Sequence, residues 1–334
     1  MNRFKLWFLV LLAVPALFLS SCAVDVEESA ADTQRRIYNA YINANGYSTA
    51  ELIGDGVRVV ERKGIPTGSA PVDSSYVMIK YSARYTSGEY ISTNYDTVAI
   101  KIGTHKVTNC YDSYVWPVGM SYISDGLDTL VKSMHPGEKV VAIIPPWLSN
   151  VNNSTAYSSS SAIVRYEIEM IGCVSDIMEY QAQKLQDFSD KFYNKMDTTQ
   201  TGFYFKKIHA SNYKDTLTDG TNINVRYVGR YLNGQLFDTN IADTAKKYGI
   251  YIPDYDYQAL NVLYYKDIDQ MVDEASLVSG FCQAILCEEM TYGDKCITFF
   301  DSDWGYGSTG SMTSGDGIPP FYPLFFEIWI EEYE

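Results

Sequence analysis

The sequence predicts an α+β protein made of two tandem domains. Each is an antiparallel sheet wrapped on a short helix, and each is preceded by an amphipathic helix. Three observations predict this. The chain has 334 residues, room for two domains at roughly 150 residues each. Its strands alternate apolar and polar residues and meet at Gly-containing turns, as in antiparallel hairpins. The same order of elements occurs twice, which marks an internal duplication.

The amino terminus, MNRFKLWFLVLLAVPALFLSSC, has a basic start (Arg3, Lys5) and an apolar run from Leu6 to Leu19 interrupted by Pro15. Such a run is short for a membrane span and suits a signal peptide. It ends in Leu19-Ser20-Ser21-Cys22, which resembles the bacterial lipobox. That resemblance implies cleavage after residue 21 and a lipid anchor on the Cys22 thiol. Residues 22–31 are acidic and small and read as a tether. The early acidic residues resemble those of Bacteroides-group lipoproteins. This places the protein outside the cytoplasm on the outer membrane, with the periplasmic and the surface face both open.

Composition is globular, 46% hydrophobic and 20% charged, with a net charge of −15. Losing Arg3 and Lys5 with the leader makes the remaining chain still more acidic. Nucleic-acid partners, which need a basic footprint, are excluded. Tyrosine is common at 29 residues, consistent with β-rich structure or an adhesive surface. After Cys22 five cysteines remain, Cys110, Cys173, Cys282, Cys287 and Cys296. An odd number cannot all pair within one molecule. Buried thiols are expected, with Cys282–Cys296 the one pairing considered.

The first domain is assigned to 32–175. Asp32 to Asn45 reads as a helix with Asp32 as N-cap and Asn45-Gly46 as stop. Gly56 to Val60 is a strand. Tyr76 to Tyr85 is another, turning at Ser87-Gly88 into Glu89 to Asn94. The second domain is assigned to 176–334. Glu179 to Phe192 reads as its helix and Gly202 to Phe205 as a strand. Val225 to Tyr231 alternates into Asn233-Gly234, a tight-turn pair whose central residues need positive φ, and returns through Leu236-Phe237-Asp238. The two hairpins align 146 residues apart: Tyr81 with Tyr227, Gly88 with Gly234, Asn94 with Asn240. Further on, Met134 to Gly137 aligns with Met290 to Gly293, and Ala162 to Met170 with Pro323 to Trp329. The drift in spacing is that of a duplication with loop insertions. Asp243 to Lys266 reads as a Tyr-rich insertion without a period.

The hairpin brings Tyr227, Phe237 and Asp238 together. Aromatics beside one carboxylate are either core next to a polar strand end, or the wall of a pocket. The motifs that follow favour the pocket. Tyr227-Val-Gly229, Gly234 and Phe237-Asp238 are followed by Leu277-Val278-Ser-Gly280-Phe281, then by a Gly293-Asp294 turn and a strand. Trp304-Gly-Tyr306-Gly307, Ile318-Pro319-Pro320 and a last strand carrying Phe326 complete the series. In their order these resemble the FKBP family of peptidyl-prolyl isomerases over about Thr221–Tyr333, and more faintly over about Ser75–Ile171.

The resemblance implies a prolyl isomerase or a proline-binding chaperone acting on proline-containing polypeptides, without metal, nucleotide or other cofactor. Phe237, Phe281 and Phe326 would grip the proline ring. Leu277, Val278 and Ile318 would fill gaps around it. The Val278 N–H and the Tyr306 hydroxyl would donate to the flanking carbonyls, and Asp238 would orient Tyr227. An X-Pro bond is planar through charge-separating resonance, with a barrier of roughly 18–20 kcal/mol. Its twisted transition state loses that separation, so an apolar aromatic box binds it better than the planar ground state.

The sequence departs from the family in three places. Gly280 to Gly293 is two residues longer than the family's spacing. The loop from Tyr306 to Ile318 is Gly- and Ser-rich. The pocket aromatic from the variable loop has no obvious match, with Tyr257 and Val262 as candidates. In the first repeat Phe237, Asp238 and Phe281 become Ile91, Ser92 and Leu127, so a scaffold or protein-binding module is expected there. His105, His135 and His209 are scattered without metal spacing. Two other readings stay open: a non-catalytic surface lipoprotein binding glycan or protein through Tyr251, Tyr255, Tyr257 and Trp304, and a structural envelope protein with both pockets filled.

Overall fold

The architecture comes from a computed structural model that describes residues 28–149, 162–194, 196, 198–213, 215–311 and 317–331. The leader, Cys22 and residues 22–27 of the tether lie outside the described residues. Among the described residues no helix is long and apolar enough to cross a membrane.

By contacts the chain divides into Met1–Asn45 and Gly46–Glu334. In the first unit, helix α1 runs Ala30–Ala44. It starts two residues before the expected point, because Ser29 rather than Asp32 is the cap: the Ser29 hydroxyl accepts from the Asp32 N–H.

Among its described residues the second unit holds two seven-stranded, wholly antiparallel sheets. The first contains β1 (Glu51–Ile53), β2 (Val57–Gly64), β3 (Tyr76–Tyr85), β4 (Tyr90–Thr93), β5 (Tyr114–Pro117), β6 (Glu138–Ile144) and β7 (Val164–Val174). Their order is β1-β2-β6-β7-β3-β4, with β5 also pairing with β3. The second contains β8 (Thr198–Gln200), β9 (Phe203–His209), β10 (Thr221–Tyr231), β11 (Leu236–Thr239), β12 (Leu260–Tyr264), β13 (Lys295–Phe300) and β14 (Leu324–Ile330). Its order is β8-β9-β13-β14-β10-β11, with β12 on β10. Strand for strand this is the same topology, so the repeat read from the sequence extends to the pairing of every strand.

The agreement reaches single bonds. Asn94 accepts from the Tyr81 N–H and donates to Ile79 O, while Asn240 accepts from the Tyr227 N–H and donates to Val225 O. Each hairpin has a bulge at one position, Ala83/Arg84 and Gly229/Arg230. Helix α2 (Asp96–Lys101) precedes β5, and α5 (Ala242–Lys247) precedes β12. The stretch 243–266 is therefore not an insertion. It holds the counterparts of α2 and β5, and its lack of period reflects a short helix, a turn and a short strand in quick succession.

The extra α-helix is α6 (Ile268–Ala275), which has no counterpart among the described residues of the first repeat. Asp267 caps it by accepting from the Gln270 N–H. Helix α3 (Asp125–Lys132) lies inside the first sheet's curve, with Leu127, Leu130 and Val131 among Val57, Val77, Ile79, Val140, Ile144 and Ile168. Helix α7 (Ser279–Leu286) does the same for the second, with Phe281, Cys282 and Ile285 in a core with Val225, Phe300, Phe326 and Ile328. The outer face of the second sheet is covered by α4 (Ile177–Tyr193), whose Leu185 and Phe188 pack on Tyr204, Phe299 and Phe325. The five described cysteines are free thiols, so Cys282 and Cys296 are not bridged. The two residues that lengthen Gly280–Gly293 fall in a 3-10 turn, Cys287–Glu289, where Glu288 and Glu289 take positive φ of 47° and 50°.

Candidate active site

A cavity of about 520 Å³ opens in the second sheet's domain. Its wall follows from strand register. Tyr227 on β10 pairs with Ile328, and Gly229 pairs with both Phe326 on β14 and Asp238 on β11. These pairings bring Tyr227, Phe237, Asp238 and Phe326 to one place. Phe281 enters from the first turn of α7 and is 3% exposed.

The four rings form a chain of edge-to-face contacts. Tyr227 and Phe281 are 5.7 Å apart at 89°, Phe281 and Phe326 5.4 Å at 90°, and Phe326 and Phe237 5.5 Å at 88°. Such pairs contribute roughly 0.5–1.5 kcal/mol each beyond area burial, so the box is held in shape before anything enters. Gly229 makes room for it. A Cβ there would lie 2.6 Å from Phe237 Cζ and 3.0 Å from Phe326 Cε1.

Two polar groups stand at the margin. The Tyr227 hydroxyl donates to Asp238 Oδ2 at 2.5 Å. Burial, and then the Asp238 carboxylate, push the Tyr227 hydroxyl's pKa well above the ordinary tyrosine value, so it remains a donor. Tyr306 follows a 3-10 turn, Ser302–Trp304, capped by the Asp301 carboxylate. Leu277, Val278, Ser279 and Gly305 complete that side. Val278 is the N-cap of α7 in extended backbone, so its N–H lies outside the helical hydrogen-bond ladder.

Of the residues expected from the sequence, Tyr227, Phe237, Asp238, Phe281, Tyr306, Phe326, Leu277 and Val278 all line this cavity. Ile318 does not. It is 1% exposed in the core and bridges to Ser311, closing the base of the loop that follows Tyr306. Cys22 is outside the described residues. Tyr257 and Val262 are not in the wall either: Tyr257 stacks on Tyr251 at 5.2 Å, and Val262 is core. The variable-loop position belongs to Leu260, opposite Val225 in the β10–β12 register. Val272 and Ser276, from α6 and the residue after it, were not anticipated. A capping box, Asp267-x-x-Gln270, was the signal for that helix.

The first repeat has filled the corresponding space. Tyr81, at the place of Tyr227, is 3% exposed and meets Trp116 at 5.1 Å and Tyr114 at 6.2 Å. By register Tyr114 stands where Leu260 lines the second cavity. Trp304, expected among surface-binding aromatics, instead packs on Phe203 at 5.3 Å and donates its indole N–H to Thr201 O. Tyr251 and Tyr255 are exposed.

Residues 214–331 match the model of the family described as FKBP-type peptidyl-prolyl cis-trans isomerase, and this stretch is an FKBP-type domain. Among solved structures the chain is similar to the three FKBP domains of wheat FKBP73, at 16% identity over 85% of this chain and 99% of that one, with a TM-score of 0.30. It is also similar to a peptidyl-prolyl cis-trans isomerase from Pseudomonas syringae pv. tomato, at 24% identity over 46% and 93% of the two chains, with a TM-score of 0.31. AtFKBP13 matches at 23% identity over 42% and 99%, with a TM-score of 0.31. No curated protein matches the chain.

Proposed function

We propose that the second domain, 176–334, catalyses cis-trans isomerisation of X-Pro bonds in polypeptides, and that the first, 32–175, carries no such activity. The observation that carries this reading is the aromatic box of Tyr227, Phe237, Phe281 and Phe326 around one open cavity in an FKBP-type segment. The wall is apolar where a proline ring would sit and polar only at its margin. A twisted X-Pro bond, having lost its resonance dipole, gains relative to the planar bond in such surroundings. The chain's own groups then have defined tasks. Phe237, Phe281 and Phe326 hold the ring, and Tyr306 O–H and Val278 N–H donate to the carbonyls on either side. Asp238 fixes the Tyr227 hydroxyl.

The reading extends to location. Cys22 at the end of a lipobox would tether both domains to the outer membrane, where exported proline-containing chains are the substrates and a chaperone role follows. Labelling with a radioactive fatty acid, abolished by Cys22→Ser, tests the anchor.

A protease-coupled assay of a proline peptide on the whole chain tests the activity. The uncatalysed reaction takes tens to hundreds of seconds, so acceleration is easily seen. Phe281→Leu installs the residue that the first repeat carries at Leu127, and is expected to lower the rate at least about tenfold, or 1.4 kcal/mol. A wild-type rate equal to the uncatalysed one, or an unaffected variant, sinks the reading.

A further inference from the structure

We propose that the loop Val107–Cys110 of the first repeat is a brace that positions the cavity wall of the second, with Gln235 and Tyr231 as its positioning residues. Its consequence for catalysis rests on the function proposed above. The contact itself does not.

The loop is built twice. In the first repeat the Lys106 N–H donates to the Tyr111 hydroxyl at 3.0 Å, His105 stacks on Tyr111 at 4.8 Å, and Asn109 N–H donates to Lys106 O at 3.1 Å. In the second the Ile252 N–H donates to the Tyr257 hydroxyl at 2.9 Å, Tyr251 stacks on Tyr257 at 5.2 Å, and Tyr255 N–H donates to Ile252 O at 3.2 Å. Local structure is therefore the same, and use differs. The second loop leaves Ile252 59% and Tyr255 52% exposed.

The first loop is seated on the second domain. Gln235 Nε2 donates to Val107 O at 2.6 Å and to Asn109 O at 2.7 Å. The Tyr231 hydroxyl donates to Thr108 O at 3.0 Å. Cys110 N–H donates to Gly317 O at 3.2 Å. Three consecutive carbonyls and the next N–H are thus bonded across the interface, and the Cys110 side chain is fully buried in the second domain's core. Tyr322 adds a bond from its hydroxyl to Asp112 Oδ2 at 2.9 Å.

One landing point adjoins the cavity wall, and the other closes the loop that follows Tyr306. Tyr231 lies 5.2 Å from Phe237, ring to ring, and Gln235 leads directly into the strand that carries Phe237 and Asp238. Gly317 precedes Ile318, where the loop after Tyr306 returns and Ser311 N–H donates to Ile318 O. Gly317 has φ +69°, and a Cβ on it would lie 2.4 Å from Asn109 Oδ1 and 2.7 Å from Asn109 Cα. Only glycine permits that approach. Tyr231 has its like in Tyr85 of the first hairpin, so the donor specific to the second is Gln235. In the first hairpin Glu89 stands at its place, and its carboxylate side chain has no N–H to offer a carbonyl.

The test is made on the whole chain. Gln235→Glu keeps the shape but replaces both donated bonds with a carboxylate facing carbonyl oxygens. Gln235→Lys restores a donor. The readouts are alkylation of Cys110, hydrogen exchange of the Leu236–Thr239 amides, and kcat/KM on a proline peptide. Gln235→Glu is expected to make Cys110 reactive, to speed exchange in Leu236–Thr239 at least about tenfold, and to lower kcat/KM by a similar factor. Gln235→Lys is expected to recover all three. A reactive Cys110 with exchange and kcat/KM unchanged would show an interface without influence on the site and overturn the proposal. So would a Cys110 that stays protected in Gln235→Glu. If the wild type does not accelerate isomerisation, the isomerase reading falls and the exchange measurement alone decides the brace. If Gln235→Glu fails to fold, Gly317→Ala releases the same loop from its other end and is read in the same way.

Discussion

The Tyr227 hydroxyl and the Asp238 carboxylate are joined by a 2.5 Å hydrogen bond at the mouth of the aromatic cavity. Their first-repeat counterparts are Tyr81, buried against Trp116, and Ser92, whose buried hydroxyl has no hydrogen-bond partner among the described residues. The pair is thus a feature of the open pocket and not of the hairpin. Tyr227→Phe and Asp238→Ala each remove it. Each is expected to lower kcat/KM about tenfold. The double variant should fall little further, because both singles remove one interaction. Additive losses in that cycle would show that the two residues act separately.

Gly229 and Phe237 form a second matched pair. A Cβ at 229 would meet the Phe237 ring at 2.6 Å, whereas the first repeat combines Ala83 with the smaller Ile91 at the same places. Gly229→Ala is expected to destabilise the fold by roughly 1–3 kcal/mol through overpacking and to abolish peptide turnover. Adding Phe237→Ile should recover the stability, measured by urea unfolding, without recovering turnover. If turnover returns with stability, Phe237 is not a wall that the substrate needs.

The hairpins, the duplication and the order of motifs were legible because each rests on local pattern: alternation along β10, a Gly in each turn, and glycine-aromatic pairs at fixed spacing. Eight of the nine expected pocket residues line the cavity for this reason. Ile318 was misplaced because an Ile-Pro-Pro motif fixes a loop stem and does not tell which face the isoleucine takes. Leu260 escaped because only the register of β12 against β10 assigns it. The brace was illegible altogether. Its acceptors are backbone carbonyls of Val107, Thr108 and Asn109, and no side-chain pattern announces those.

Glu288 and Glu289 carry the two residues by which the second repeat exceeds the family spacing, and both have left-handed backbone. That conformation costs a side-chain-bearing residue roughly 1–2 kcal/mol. Glu288 also offers its carbonyl to Lys207 Nζ at 2.7 Å, a bond that needs no side chain at 288. Glu288→Gly is therefore expected to raise the urea midpoint, with a gain in unfolding free energy of about 1 kcal/mol at most, and to leave turnover unchanged. A lower midpoint would mean that the Glu288 side chain contributes more than its backbone costs.

Asp301 tests how the turn before Tyr306 is held. Its carboxylate is 4% exposed and accepts from the N–H groups of Asp303 at 3.0 Å and Trp304 at 3.4 Å. Gln181 of α4 clamps the next residue, accepting from Ser302 N–H and donating to Ser302 Oγ. The first repeat has uncharged Pro145 after the matching strand. Burial, and less strongly Asp303, push the Asp301 carboxyl up to about 6, against the pull of the two N–H groups. A folded-state value raised above the unfolded one favours the protonated form. Its contribution to stability is full below about pH 4 and is lost as pH rises through about 6. Asp301→Asn keeps an acceptor for the two N–H groups and removes the buried charge. It is expected to be more stable than wild type at pH 7.5, by at most about 3 kcal/mol from the size of the shift. That gap should close toward pH 4 in urea melts. A variant less stable than wild type at pH 7.5 would show that the charge strengthens the cap by more than burial costs it. Asp301 would then be an ionised anchor of the Tyr306 turn.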